Sequence, residues 1–201
     1  NTNSAYIYAE YDIESKSLIT KSYYYIDLFS VVITSDQTKT AYIASSNRYK
    51  YKIVCGDWES EETGYIRSAH IALSPDGSLL AYKFTINFKY VLVLVDFNLK
   101  RSTKLGTFNN IYTFTFDKNN RLSYIVVVCN QERDKYVINN NQISGPYEQV
   151  YDYATLQDGT MIYIALIQGY YYVITEFGQM GTFNNVSYKA INSKKVLCIE
   201  D

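Results

Sequence analysis

The chain holds one histidine, His70, among its 201 residues. A Ser-His-Asp triad needs that histidine beside a nucleophile, and a histidine metal site needs several, so both chemistries have almost nothing to draw on. His70 lies in a strand-like run, where a hydrogen-bonded structural role outweighs a catalytic one. Cys55, Cys129 and Cys198 each sit in an apolar run, and their spacing fits no zinc pattern. They are expected as free thiols behaving as small hydrophobes. No Gly-x-Ser-x-Gly, His-Glu-x-x-His, phosphate loop or EF-hand spacing occurs. Paired carboxylates are the remaining route to catalysis, as in glycoside hydrolases. Asp27, Glu148 and Asp152 are the candidates, and two of them belong to one segment. No enzyme activity, metal or cofactor is expected on this basis.

The more informative residues are repeated. Residues 106–111 read GTFNNI and residues 181–186 read GTFNNV. Amides that recur in this way present donors and acceptors to a peptide backbone or to sugar hydroxyls. They also tolerate turns and cap backbone groups, which a repeated scaffold needs equally.

Strands must carry these segments. Runs such as 122–128 (LSYIVVV) and 170–174 (YYYVI) are β-branched and aromatic, with turn residues every eight to twelve positions. No stretch joins helical periodicity to caps. The composition agrees: hydrophobic residues make up 47 %, which excludes disorder, and 23 tyrosines accompany two prolines. A net charge of −1, with cations scattered among acids, offers no basic stripe for nucleic acid. The longest apolar runs, such as 91–95 (VLVLV), are too short to span a bilayer as helices. The chain begins at Asn1 rather than methionine. That is expected of a processed chain or of part of a longer one, and it leaves an upstream targeting segment open.

One landmark, a turn followed by an apolar strand, occurs five times: SDQTKTAYIA (35–44), SPDGSLLAYKF (74–84), DKNNRLSYIV (117–126), LQDGTMIYIA (156–165) and NSKKVLCIE (192–200). Aligned at Ala41, Ala81, Ser123, Tyr163 and Cys198, these step by 40, 42, 40 and 35 residues. About ten residues before each turn lies a counterpart of GTFNN: residues 24–28 (YYIDL), 64–68 (GYIRS), 106–110, 145–149 (GPYEQ) and 181–185. A period near forty with four strands per unit is the length of a propeller blade. The expected fold is all-β: a single five-bladed β-propeller over residues 1–201, or part of a larger propeller. Two strands within residues 4–20 are expected to complete the last blade and so remove its exposed edge.

The segment SPDGSLLAY (74–82) resembles the signature of TolB-like and WD40-like bacterial propeller repeats, and KYVINNNQISGPYEQV (135–150) is similar to the same repeats in secreted proteins. The resemblance implies a propeller platform outside the cytoplasm that binds proteins. In that geometry the GTFNN segments join the outermost strand of one blade to the innermost strand of the next. Asp27, Arg67, Ser68, Asn109, Asn110, Glu148, Gln149, Asn184 and Asn185 then surround one mouth of the channel. The functional expectation is a non-catalytic module or scaffold binding a protein partner through this face, with a lectin-like carbohydrate binder as the alternative and a glycoside hydrolase behind both. Ser30, His70, Tyr112, Tyr151 or Asp152, and Ser187 are expected as a polar column along the channel. Tyr42, Tyr82 and Tyr124 are expected between blades, residues 57–62 (DWESEE) in a solvated loop, and Trp58 as a minor exposed contact.

Overall fold

A computed structural model describes residues 6–12, 17–34, 36–47, 49–63, 71–127, 134–139, 141–155, 161–175, 178–183, 187–192 and 195–199. Every element in them is a strand. A hairpin of β1 (Tyr6–Asp12) and β2 (Ser17–Tyr23) comes first. The first four-stranded sheet is β3 (Tyr25–Ile33), β4 (Thr40–Asn47), β5 (Lys50–Cys55) and β6 (Trp58–Glu59). The second is β7 (Ile71–Leu73), β8 (Leu79–Ile86), β9 (Lys89–Asp96) and β10 (Arg101–Phe108). The third is β11 (Asn110–Phe116), β12 (Leu122–Val127), β13 (Lys135–Asn139) and β14 (Gln142–Tyr147). The fourth is β15 (Gln149–Thr155), β16 (Met161–Ile167), β17 (Tyr170–Thr175) and β18 (Gly178–Phe183). A hairpin of β19 (Ser187–Asn192) and β20 (Lys195–Ile199) ends the series. All pairing is antiparallel between sequence neighbours, so each sheet is a meander.

The sheets stack face on face. Ala41, Ile43 and Ile53 of the first sheet meet Leu80, Tyr82 and Val93 of the second. Ala81 and Leu92, on the second sheet's other face, meet Ile111, Tyr124 and Val126 of the third. Ile125 and Val137 meet Met161, Tyr163 and Ala165 of the fourth. Both faces of the second and third sheets are therefore covered, which is why β8 and β12 are apolar almost throughout instead of alternating. Lysines tie the layers at their ends. The ammonium groups of Lys39, Lys83 and Lys135 donate to the carbonyls of Gly77 (2.7 Å), Ile111 (2.8 Å) and Glu148 (2.7 Å), each in the next sheet along the chain. Burial pulls the Lys83 and Lys135 ammonium pKa values down, since each carbonyl only partly replaces water.

The chain turns from innermost to second strand through one design in three sheets. In SPDGS, the Ser74 hydroxyl donates to Asp76 (2.8 Å) and accepts from the Leu79 amide (2.9 Å), while Asp76 accepts from the Ser78 amide (2.8 Å). Thr34, Asp36 and Thr38 repeat this pattern without proline or glycine. Asp117 does both tasks with one carboxylate oxygen, accepting from Asn119 (2.8 Å) and Arg121 (2.9 Å). The left-handed residue falls at matching places, Gln37, Gly77 and Asn120. These local bonds compete well with water because the acceptors are preplaced by the turn.

Three expectations need correction. Among the described strands no ladder joins β20 to β1: the N-terminal hairpin pairs with itself and lies against β3 and β4. Four complete four-stranded sheets and two hairpins result, in place of five complete blades. The β1–β2 pairing is part of the expected closure as well; what is lacking among the described strands is the ladder from β20 to β1, which has to join the two ends of the chain. Second, Tyr163 matches Tyr42 and Tyr124 rather than Ala41 and Ser123, since it faces the preceding sheet as they do. A slip of one residue in a strand exchanges its faces. Third, Trp58 is half-buried in β6, packed against Tyr82 (6.5 Å between centroids) and Phe97 (5.8 Å). The acids around it are engaged: Glu59 accepts from Tyr23 (2.7 Å) and Lys52 (2.6 Å), and Glu62 pairs with Lys50 (3.1 Å).

Candidate functional site: the junction end and the inner wall

In a meander the junctions between sheets and the hairpins between second and third strands lie at one end. The Asp-capped turns lie at the other. GTFNN at 106–110 spans one such junction: Phe108 closes β10, Asn109 crosses, and Asn110 opens β11. Tyr147, Glu148 and Gln149 make the same passage from β14 to β15. The crossing amides bond alike, Asn109 to the Val127 carbonyl (2.9 Å) and Glu148 to the Leu166 carbonyl (3.0 Å). Asn109 and Asn110 are half-buried, while Glu148 and Gln149 are exposed. Arg67, Ser68, Asn184 and Asn185 lie outside the described residues, as does His70.

The third copy shows what the motif is for. Tyr24 carries the matching bond, to the Ser45 carbonyl (2.9 Å), so the crossing before β3 is Tyr24 and the residue matching Phe108 is Tyr23. The Tyr23 ring meets Tyr42 at 6.2 Å, Phe108 meets Tyr124 at 6.0 Å and Tyr147 meets Tyr163 at 5.8 Å, all tilted or edge-on. Edge-to-face aromatic pairs gain beyond their buried area. The last pair adds a hydroxyl–hydroxyl bond of 3.0 Å, and burial followed by that bond pushes the Tyr163 phenol pKa up. Glycine two residues earlier makes room, because a Cβ at Gly106 would stand 2.4 Å from the Phe108 ring and one at Gly181 2.3 Å from Phe183. Bulges fall at the glycines of three of the four outermost strands, β10, β14 and β18. GTF is thus an inter-sheet lock, and only the residues after it are free to serve a ligand.

Asp27 is not one of them. It lies three residues past the crossing, in β3, where its carboxylate accepts the Phe29 amide (3.1 Å) and its carbonyl accepts the Ser30 hydroxyl (2.6 Å). Ser30 is buried and also receives the Ile43 amide (2.9 Å), so it belongs to the backbone framework and not to a polar column. These bonds stabilise a bow in the innermost strand: Asp27 pairs with Ile43 and Val32 with Ala41, leaving residues 28–31 opposite Tyr42 alone. The surplus chain bends away from β4. It carries Leu28 (75 % exposed), Phe29 (102 %) and Val31 out with it. Tyr112, itself the extra residue of a bulge, and Tyr151 are exposed on the innermost strands of the third and fourth sheets. Asp152 has only its backbone described, in β15. The innermost strands β3, β7, β11 and β15 contain no lysine or arginine. Among the described residues no three His, Cys, Asp or Glu side chains converge as a metal requires, and no helix is long and apolar enough to cross a membrane.

No family model matches the chain, and no curated protein does. Solved structures do match. The β-propeller domain of the trilobed protease from Pyrococcus furiosus superposes with a TM-score of 0.60 at 14 % identity, covering 88 % of this chain and 62 % of that one. This chain is a β-propeller. An acylaminoacyl peptidase in complex with Z-Gly-Gly-Phe-chloromethyl ketone matches the propeller with a TM-score of 0.54 and 14 % identity, over 87 % of this chain and 35 % of that one. An oligogalacturonate lyase in complex with manganese gives 0.50 and 9 % identity, over 86 % and 58 %. The propeller thus spans 62 % or less of each of these chains. The resemblance to bacterial propeller repeats holds for the fold, and the sheets described above are its blades. The expected function does not hold. Propellers of this similarity occur in a protease, a peptidase and a lyase, so a non-catalytic module or scaffold for protein–protein interaction, with its lectin-like alternative, is not where the comparison leads.

Proposed function

We propose that this propeller is the substrate-admitting part of a peptidase assembly. The residues that break the bond lie outside this chain, and the inner wall holds an extended peptide through its apolar side chains. The bow at Leu28–Phe29 is the observation that carries the proposal. Folding gains nothing from placing a leucine and a phenylalanine in water on an innermost strand. A peptide side chain entering there would return that area to an apolar surrounding. The two matches with higher TM-scores are a protease domain and a peptidase, which supports the same substrate class. The lyase match points to anionic oligosaccharides, which are held by cations; β3, β7, β11 and β15 have none and Lys189 of β19 is the one on the described innermost strands, fewer than several carboxylates would need. The setting belonging to this proposal is extracytoplasmic, on the similarity of KYVINNNQISGPYEQV (135–150) to repeats of secreted proteins.

Fluorescence anisotropy with a labelled, extended Leu- and Phe-containing peptide tests it. Phe29→Ser is expected to weaken binding roughly tenfold or more, the worth of burying one large apolar side chain, with no change in melting temperature. Binding of galacturonate oligomers in place of the peptide would overturn the proposal. So would peptide binding that Phe29→Ser leaves intact.

A further inference from the structure

Tyr112 is one residue more than its strand needs. Ile111 and Phe114 both pack in the core against the second sheet, three positions apart, although side chains on one face of a strand recur at even spacings. The ladder agrees: Ile111 pairs with Val126 and Thr113 with Ile125, so Tyr112 has no place opposite β12. Without it the pairing from Asn110 to Phe116 would run unbroken. A bulge re-aims a side chain, and this one turns a phenol out of the blade, 48 % exposed on the innermost strand. Leu28 and Phe29 are surplus to the ladder of β3 in the same sense. Among the described residues the Tyr112 hydroxyl makes no hydrogen bond, whereas the Tyr151 ring in the next blade rests against Tyr171 at 5.6 Å.

A buried charge holds this bulge from behind. The Lys83 ammonium, on β8 of the preceding blade, donates to the carbonyl of Ile111, the residue just before Tyr112 (2.8 Å). Lys83 is buried, its ammonium lies 5.4 Å from the centroid of the Tyr90 ring, and among the described residues no carboxylate accompanies it. Burying an ammonium costs solvation that one carbonyl and one ring only partly return, so packing alone favours an apolar residue there. Lys135 reaches the crossing residue Glu148, whereas Lys83 reaches two residues past the crossing, to the bulge itself. Ser30 plays the matching part for the bow in β3, where its hydroxyl ties the Asp27 carbonyl to the Ile43 amide. We infer that Tyr112 is a peptide-contacting residue of the inner wall and that Lys83 is the residue that positions it. This rests on the reading of the inner wall as a peptide site. A phenol both donates and accepts, so it serves the carbonyls and amides of an extended backbone whatever its side chains, while the bow selects for leucine and phenylalanine.

Anisotropy with the labelled Leu- and Phe-containing peptide tests both residues. Tyr112→Phe removes the hydroxyl alone and is expected to weaken binding about threefold to tenfold, with the melting temperature unchanged. Deleting Tyr112 leaves a regular ladder, so the fold is expected to hold while binding falls at least as far. Lys83→Met keeps an apolar stem and removes the charge. It is expected to weaken binding in the parent and to change nothing in a Tyr112→Ala background, because it acts through the ring. A parent protein that binds no peptide overturns the reading of the inner wall, and this inference with it. Binding that Phe29→Ser weakens and Tyr112→Phe leaves intact overturns this inference alone. Equal losses from Lys83→Met in both backgrounds would make Lys83 a structural tie and overturn its positioning role.

Discussion

At one end of the propeller Asp36 and Asp76 each gather amide and hydroxyl donors from their own turn, Asp117 gathers two amides and the Arg121 guanidinium, and Lys39 and Asn120 link neighbouring turns through Gly77 and Asp76. Leu99 is the bulky exposed apolar tip there among the described hairpins. At the other end Tyr23, Phe108 and Tyr147 are folded inward between blades, while Tyr24, Tyr49, Phe88 and Tyr170 stand in water. The same residue type is used in two ways a few residues apart. Where an aromatic closes an outermost strand it locks two sheets, and where it tips a hairpin no local packing accounts for it. Ile33, Ile143 and Met180 near that first end are exposed too, so the ends differ in their turns, which are hydrogen-bonded within themselves at the one and carry exposed rings at the other.

The largest effect expected from breaking this contrast is on the inward rings. Phe108→Ala should destabilise the protein by about 3–5 kcal/mol in urea unfolding, the usual cost of removing a buried phenylalanine. Gly181→Ala should follow with about 1–3 kcal/mol, because the added carbon meets the Phe183 ring at 2.3 Å and takes φ of +69°. The Asp-capped end supplies the smallest effect, and it is pH-dependent. The Thr34 hydroxyl bond holds the Asp36 carboxyl below its ordinary pKa, and the Ser78 amide bond does the same for Asp76. Such groups contribute stability above the unfolded carboxyl pKa, about 3.9, and lose it as pH falls through the lower folded value. Melting temperature should therefore fall more steeply below about pH 4 in the parent than in a variant with Asp36→Asn and Asp76→Asn. Parallel curves would remove these carboxylates from the stability of that end.

Much of this was legible in the sequence because repeats expose what a fold needs. The SPDGS turn, the apolar second strands and the GTF-type junctions recur at a period near forty, and each proved to be one recurring hydrogen-bonded or packed unit. Sequence reasoning failed where a blade departs from its siblings. Counting back from the first turn stops short of the junction, because the bow at residues 28–31 adds chain that no ladder pairs, and Asp27 takes the place that belongs to Tyr24. Closure by the terminal strands follows from the strand count and from edge avoidance, but among the described strands no ladder joins β20 to β1. Phe88 gave no signal: it falls between the landmark ending at residue 84 and the apolar run 91–95 (VLVLV), and only the backbone shows that the turn falls on Asn87 and Phe88. The locks were half-read, with the tyrosines of the second strands recognised and their partners at the strand ends missed.

The central claim is that an aromatic at the end of one blade is bound to a tyrosine of the next, and that this pairing is what the repeated motif preserves. A double-mutant cycle on Phe108→Ala and Tyr124→Ala, read by urea unfolding, tests it most directly. The account predicts a favourable coupling of about 0.5–1.5 kcal/mol across the 6.0 Å pair. Strictly additive losses would contradict it.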